Sequence, residues 1–541
     1  MIADTDVPFH VSARPHPGHL AQRQTDARRI PTMSWIRVPL RDLLIGLALF
    51  GLALWVGLGN VATTIPHRDE SRWVGRAYFF NQYLHPDSPT WSDGQLTRNQ
   101  PPLASYLMGL GLTVQGHDTD TTARNLLYDF TRTERWNQLR GRIPSVEDRD
   151  AGRRTDSFLG ALVVVLVYAV ARRLSNRVGG VFAALILIPN SLYIYLASLA
   201  NSDMLLTFFV ISSALVALTL ADRPTWWRAI LLGVLLGLGT STKLSPILVA
   251  ALVAGYGGFL LIAGQPWRRR SDEDRTTIGL GLMLLTVPFT AFAAFVLSYP
   301  YLWPDPIQRT IYMFQYRNGE MESQGELWQD RQVLGTFDAF ARIRFHLGEQ
   351  FSVSQWLSDQ VQARIGWGWD LPWLDLALGV LGIGLLVLLA AHYGLRSKYA
   401  LVALLLLGQC AVTVAGLQAD FERYYLPIVI TSSVGAGLLI GQLWAWAPII
   451  VRFLGKHLAR RRQPTPQVPA PATITVPLSQ SSIAGRARTM FWSLPDTPTV
   501  EPEPVVAATR GTTAFRTLLA GLTIALGVIA SQVLTVVRSR R

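Results

Sequence analysis

Eleven long runs without Lys, Arg, Asp or Glu dominate this 541-residue chain: 43–66, 157–171, 178–202, 204–221, 229–242, 244–267, 276–303, 376–395, 399–419, 424–451 and 517–537. Crossing hydrocarbon takes roughly 20 apolar residues, and only helices or closed barrels satisfy their backbone there. The runs are continuous, not alternating, so they read as helices. The expected fold is an all-α polytopic integral membrane protein with about eleven transmembrane helices, of which 157–171 and 229–242 are short. Half of the residues are hydrophobic and only 16% are charged, which excludes a soluble multidomain protein of this length.

Orientation follows from the short loops. Arg172, Arg173 and Arg177 form one basic group, Arg223 and Arg228 a second, Arg268 to Arg270 with Arg275 a third, and Arg396 with Lys398 a fourth. They alternate with loops that hold only Lys243 and Arg423. Basic loops stay in the cytoplasm, so two large polar segments, 67–156 and 304–370, fall outside. The net charge of +13 is carried between apolar runs, where anionic lipid accounts for it, and nucleic acid is excluded as a partner. The domain plan is a disordered cytoplasmic tail (1–42), a membrane core (43–451), a disordered cytoplasmic linker rich in Pro, Thr, Ser and Arg (452–512) and a last transmembrane helix (513–541). Within 67–156, the run 101–115 is too short to span and reads as a helix lying along the membrane surface.

A few polar residues stand out against this background. Asp69 and Glu70 follow the first span, beside Arg68 and Arg72. A positioned carboxylate can take the proton from an attacking hydroxyl; the plain alternative is a solvated loop with local ion pairs. Asp203, between two apolar runs, is a candidate site residue; it, Asn201 or Ser202 could also cap the following helix, and the two roles are compatible. Lys243 and Arg423 are cations on the side where cations are scarce, suited to a lipid-linked phosphate. For Arg423 the alternative is an ion pair with Asp420 or Glu422. Tyr299, Tyr301, Trp303, Trp367, Trp369 and Trp373 read as an interfacial aromatic belt. Cys410 is the only cysteine, so no intrachain disulfide exists. His67, His85, His117 and His346 have no metal-ligand spacing, and no nucleotide-binding motif occurs. No metal site is assigned, though a divalent cation is compatible with such chemistry.

Five features together resemble the membrane-embedded glycosyltransferases of the C-type fold, within them the protein O-mannosyltransferase and lipid A aminoarabinose transferase group. They are the Asp69-Glu70 pair after the first span, the Pro101-Pro102-Leu103 element, an Arg-rich stretch closing with VYAVARRL, the string GVLLGLGTSTK, and YPYLWPDP followed later by RYYLP. The resemblance spans about residues 43 to 450. It implies inverting transfer of a sugar from a polyprenyl-phosphate donor to a protein, lipid or glycan hydroxyl, outside the plasma membrane. It makes Asp69 the catalytic base, Glu70 its support and Arg423 a contact of the carrier phosphate. Lys243, Arg98, Asp203 and Tyr424 complete the substrate-binding candidates. Aminoarabinose transferases have Lys before the PPL element where this chain has Gln100, with Arg98 two residues earlier. The rival readings are a transporter or flippase of lipid-linked substrates, which would favour inverted halves and mid-span charges, and a non-catalytic scaffold.

Overall fold

The computed structural model describes residues 39–263 and 272–462. The expected tail as far as residue 38, the basic group at Arg268–Arg270, and the expected last span lie outside the described residues. Among the described residues, eight helices are long and apolar enough to cross a membrane, nine if one bent pair counts as a single span. Apart from one isolated bridge between Gln332 and Ala419, the described residues hold no β-structure. The chain is a helical, multi-pass membrane protein.

The first span is α1 (Leu40–Asn60) and is followed by the short α2 (Arg68–Gly75). His67 caps α2: its Nδ1 accepts the Asp69 N–H at 3.2 Å, while Glu70 Oε2 accepts the His67 N–H at 2.9 Å. This reciprocal capping starts the helix at Arg68 and sets the two acids on its first turn. The PPL element opens α3 (Leu103–Val114). One face of α3 is buried: Met108 and Leu112 pack with Val74, Ala77, Ala151 and Ala200, while Leu110 and Val114 stay exposed.

The second span, α4 (Val146–Leu174), is 29 residues long, against the 15 of its apolar run. Ser145 caps it by accepting the Asp148 N–H at 3.0 Å, so charged residues 147–156 form its first three turns. Glu147 and Asp148 near the start and Arg172 and Arg173 near the end match the helix dipole. The run 178–202, expected as one span, is broken. Helix α5 (Arg177–Leu187) and α6 (Ser191–Ala197) meet at 72°. Pro189 stands at the break, and Asn190 caps α6 by accepting the Tyr193 N–H at 3.0 Å.

The remaining spans are α7 (Asp203–Asp222), α9 (Ser245–Ala263), the pair α10 (Asp272–Leu285) and α11 (Val287–Leu297), α15 (Leu374–Tyr393), α16 (Lys398–Ala415) and α17 (Leu426–Arg462), and the shorter apolar α8 (Trp226–Thr240) lies between α7 and α9. Between α11 and α15 the second polar segment folds into α12 (Pro306–Leu327), α13 (Thr336–Phe345), a π turn (His346–Gln350) and α14 (Val353–Ile365). Helix α17 continues to Arg462, into the stretch expected as linker. Helices α4, α7 and α17 are the most enclosed spans, whereas only 17% of the α15 window is buried. Helix α8 packs on α11 through Gly233 and Gly237; a Cβ at Gly233 would stand 2.8 Å from the Val287 carbonyl. Small residues four apart allow this close approach.

The aromatic belt is only partly observed. Trp303, Trp367 and Trp373 are exposed, but Tyr299 and Tyr301 are completely buried with Phe79, Trp91 and Phe295. Their hydroxyls find partners inside: Tyr299 donates to the Thr97 carbonyl and Tyr301 to Asp93 Oδ1 at 2.8 Å. They join the first polar segment to the end of α11 instead of anchoring in lipid.

Candidate active site

At one end of the bundle, a cavity of about 380 Å³ opens between the residues before α3, the start of α7, the α8–α9 turn, α12, the end of α16 and the start of α17. Leu206, Leu244, Leu248, Phe314, Val412 and Leu417 give it apolar walls. Asn99, Gln100, Asp203, Lys243, Arg317, Arg423 and Tyr424 supply polar groups. Two sequence motifs meet here, because the Leu103 N–H of the PPL element donates to the Ser241 carbonyl of GTSTK at 2.9 Å.

Three cations surround the Tyr424 ring. Lys243 Nζ and Arg423 Cζ each lie 5.5 Å from its centroid, and Arg317 Nη2 donates to its hydroxyl at 3.1 Å. Arg317 was not a sequence candidate. It sits on the amphipathic α12 with Glu320 one turn on, a spacing that reads as an ordinary surface pair. Lys243 pairs with Asp203. Asp203 is therefore no helix cap: Asn201 Oδ1 takes the Asp203 N–H at 2.7 Å, which leaves the carboxylate free for Lys243.

Arg423 does not pair with its neighbours. Asp420 is engaged by Arg342 at 2.7 Å, by His346 Nε2 at 2.8 Å and by the Tyr425 hydroxyl at 2.5 Å, while Glu422 accepts from Gln350 at 3.2 Å. Arg423 Nη1 instead donates to Asp69 Oδ2, across 354 residues of sequence. Arg423 lines the cavity and also holds Asp69, which keeps 27% of its side chain exposed. Burial works to raise the Asp69 pKa, but Arg423, helped by His67 and Arg72, outweighs it and holds the carboxyl below its ordinary 3.8.

Glu70 points elsewhere. Arg153 of α4 grips it with two prongs, Nε to Oε1 at 2.7 Å and Nη2 to Oε2 at 2.8 Å, and both side chains are buried. The Ala200 N–H adds a bond to Oε1 at 3.1 Å, and Arg153 Nη1 also donates to the Val61 and Thr64 carbonyls at 2.6 and 2.9 Å. This network ties the end of the first span, α2, α4 and the loop after α6 together. Arg98 is not at the cavity: it forks onto Asp93, Nε to Oδ1 at 2.6 Å, and pulls that carboxyl down to about 2. Among the described residues no group of three His, Cys, Asp or Glu could hold a metal ion.

Two sequence motifs, one cavity and an acid–guanidinium pair thus sit together at one end of α4, α7 and α17. Residues 148–292 match the family of dolichyl-phosphate-mannose-protein mannosyltransferases. The matched stretch runs from α4 to α11, and the matched family is one of the group that the motifs resemble. No curated protein matches the sequence. Among solved structures, the S. cerevisiae protein O-mannosyltransferase complex bound to the sugar donor is 20% identical, with 49% of this chain and 34% of that one covered at a TM-score of 0.37. ArnT from Cupriavidus metallidurans, bound to undecaprenyl phosphate, is 15% identical over 75% of this chain and 62% of that one, at 0.42. The apo oligosaccharyltransferase from Archaeoglobus fulgidus is 14% identical over 76% and 52%, at 0.41. The chain therefore spans between about a third and just under two thirds of the length of these proteins.

Proposed function

We propose that this protein transfers a sugar from a polyprenyl-phosphate carrier to an acceptor hydroxyl at the extracytoplasmic face of the plasma membrane. The observation that carries the reading is Arg423, which lines a cation-rich cavity with apolar walls and at the same time holds the carboxylate suited to be the base. The family match over residues 148–292 supports the same chemistry. The cavity's apolar walls suit a lipid chain. Lys243, Arg317 and Arg423 suit its phosphate, with Arg able to contact it through two N–H groups.

In the resting protein Asp69 is ionised but weakly basic, because Arg423 stabilises its charge. A donor phosphate in the cavity draws the Arg423 guanidinium toward its own oxygens and so restores the basicity of Asp69. The acceptor hydroxyl oxygen then attacks the anomeric carbon, its proton passes to Asp69, and the bond from that carbon to the phosphate oxygen breaks. The electron pair leaves on polyprenyl phosphate, whose developing charge Arg423, Arg317 and Lys243 stabilise. A single displacement inverts the anomeric centre and needs no sugar–enzyme intermediate. Glu70 acts through the Arg153 network as a positioning residue for α2. The acceptor is a protein, lipid or glycan hydroxyl.

The test is transfer of labelled mannose from polyprenyl-phosphoryl-mannose by the purified protein to peptide, lipid and glycan acceptors offered in parallel. Product with any of them supports the reading, and retention of all label on the carrier overturns it. Orientation is read from single cysteines at positions 223 and 330, in a Cys410→Ala background, with an impermeant thiol reagent on intact cells. Labelling at 330 and protection at 223 is expected; the reverse pattern moves the site to the cytoplasm.

A further inference from the structure

His346 takes no part in the chemistry above, yet it is buried, with 6% of its surface exposed, and every polar atom of its ring is engaged. Nε2 meets Asp420 Oδ1 at 2.8 Å and Nδ1 meets Gln350 Oε1 at 2.5 Å. The Gln350 amide is oriented by its Nε2, which donates to Glu422 Oε1 at 3.2 Å. Both ring nitrogens therefore face acceptors, and only an imidazolium, with two N–H groups, satisfies both. The ring lies between Phe351, stacked at 5.8 Å, and Tyr425 at 4.7 Å. It opens a π turn, His346–Gln350, a local irregularity that recurs at functional sites.

What this ring holds is the stretch that carries Arg423. Its two acidic contacts, Asp420 directly and Glu422 through Gln350, stand three residues and one residue before Arg423 in sequence. We propose that His346 is a positioning residue for Arg423: as an imidazolium it clasps the Glu422–Tyr425 turn, and loss of its proton loosens that turn and weakens donor binding. The proposal rests on the donor reading of the cavity.

The surrounding charges support a cationic ring. Asp420 also accepts from Arg342 and Tyr425. Burial would raise its pKa, but its hydrogen bonds from His346, Tyr425 and Arg342 keep it well below the usual carboxylate range, so it stays ionised. Arg344, at the end of α13, and Glu349, in the π turn itself, pair with each other at 3.5 Å on the exposed side. Asp375, on the packed α15, is taken up by Ser352 and the Val353 N–H. Burial alone would lower the His346 pKa; the bonds to Asp420 and Gln350 and the charge of Glu422 instead raise it above 6.5. The clasp is thus complete below pH 6.5 and is lost as pH rises through that raised value.

The test is binding of polyprenyl-phosphoryl-mannose to the purified full-length protein between about pH 5 and 9. This phosphodiester lacks the second ionisation near 6 of a phosphate monoester, so a titration in that window belongs to the protein. Affinity is expected to fall about tenfold as the pH rises, the value of one charge-assisted hydrogen bond. His346→Gln should bind weakly at every pH, with a flat profile. Gln350→Glu, which sets a carboxylate against Nδ1, should move the midpoint to higher pH, a shift that a merely structural histidine does not produce. Binding by the parent that does not vary with pH, or an unmoved midpoint in Gln350→Glu, overturns the proposal alone. No binding by the parent at any pH overturns the donor reading and the proposal with it.

Discussion

Asp69 and Glu70 are adjacent on one helical turn and live in different worlds. Glu70 is 2% exposed and is held by both prongs of Arg153, by the Ala200 N–H and by the His67 N–H. Asp69 keeps about a quarter of its side chain open and has one side-chain hydrogen-bond partner, Arg423, which is also part of the cavity wall. Along a helix, consecutive residues point about 100° apart, so a pair of acids can be divided between an interior network and a reactive surface. On the proposed mechanism the pair divides the labour: one carboxylate builds the platform, and the other keeps a partner that the donor phosphate can draw away.

Substitutions can break this contrast. The largest effect is expected from Asp69→Asn, which keeps size and loses proton affinity; turnover should fall by about a hundredfold to ten-thousandfold, with the amount of folded protein unchanged. Near-parental transfer rates by this variant would remove Asp69 as the base. Glu70→Gln should invert the pattern. Removing one partner of a buried pair leaves Arg153 uncompensated, which costs about 3–5 kcal/mol, so yield and thermal stability should drop sharply while turnover per folded molecule changes little. A stable Glu70→Gln protein with a large turnover defect would make both acids catalytic. The smallest effect is Arg423→Lys. It keeps the charge and gives up the planar two-pronged contact, so the apparent KM for the donor should rise about tenfold with abundance intact. Equal initial rates at limiting donor would make Arg423 a partner of Asp69 only.

How much of this was legible in the sequence follows from what is local. The helical, multi-pass membrane character was, since a hydrophobic run lies within one stretch, although the number of spans was not. The PPL and GTSTK elements do meet, and Asp69 does reach Arg423 at the wall of the same cavity. The Pro189 break was written in ILIPNS, but an uninterrupted apolar run hid it. The polar start of α4 was hidden for the opposite reason: residues 147–156 are too charged to read as span, although Ser145 and Asp148 carried the cap signal. The partners were not legible. Nothing near Arg423 says that Asp420 is already committed to Arg342 and His346, and nothing near Glu70 points 83 residues on to Arg153. Tyr299 and Tyr301 have the composition of interfacial aromatics, and only packing reveals that they are core.

The long reach of the Asp69–Arg423 contact has a consequence for how the protein is made. Chains emerge at about 5–20 residues per second. Arg153, 83 residues after Glu70, then appears roughly 4–17 s later, while Arg423, 354 residues after Asp69, takes roughly 18–71 s. The buried network can close while most of the membrane helices are still unmade, and the Asp69–Arg423 pair closes only when α16 has been threaded. During biogenesis the buried network therefore precedes the Asp69–Arg423 contact, and a nascent chain carries Asp69 without its arginine partner until the last described span approaches.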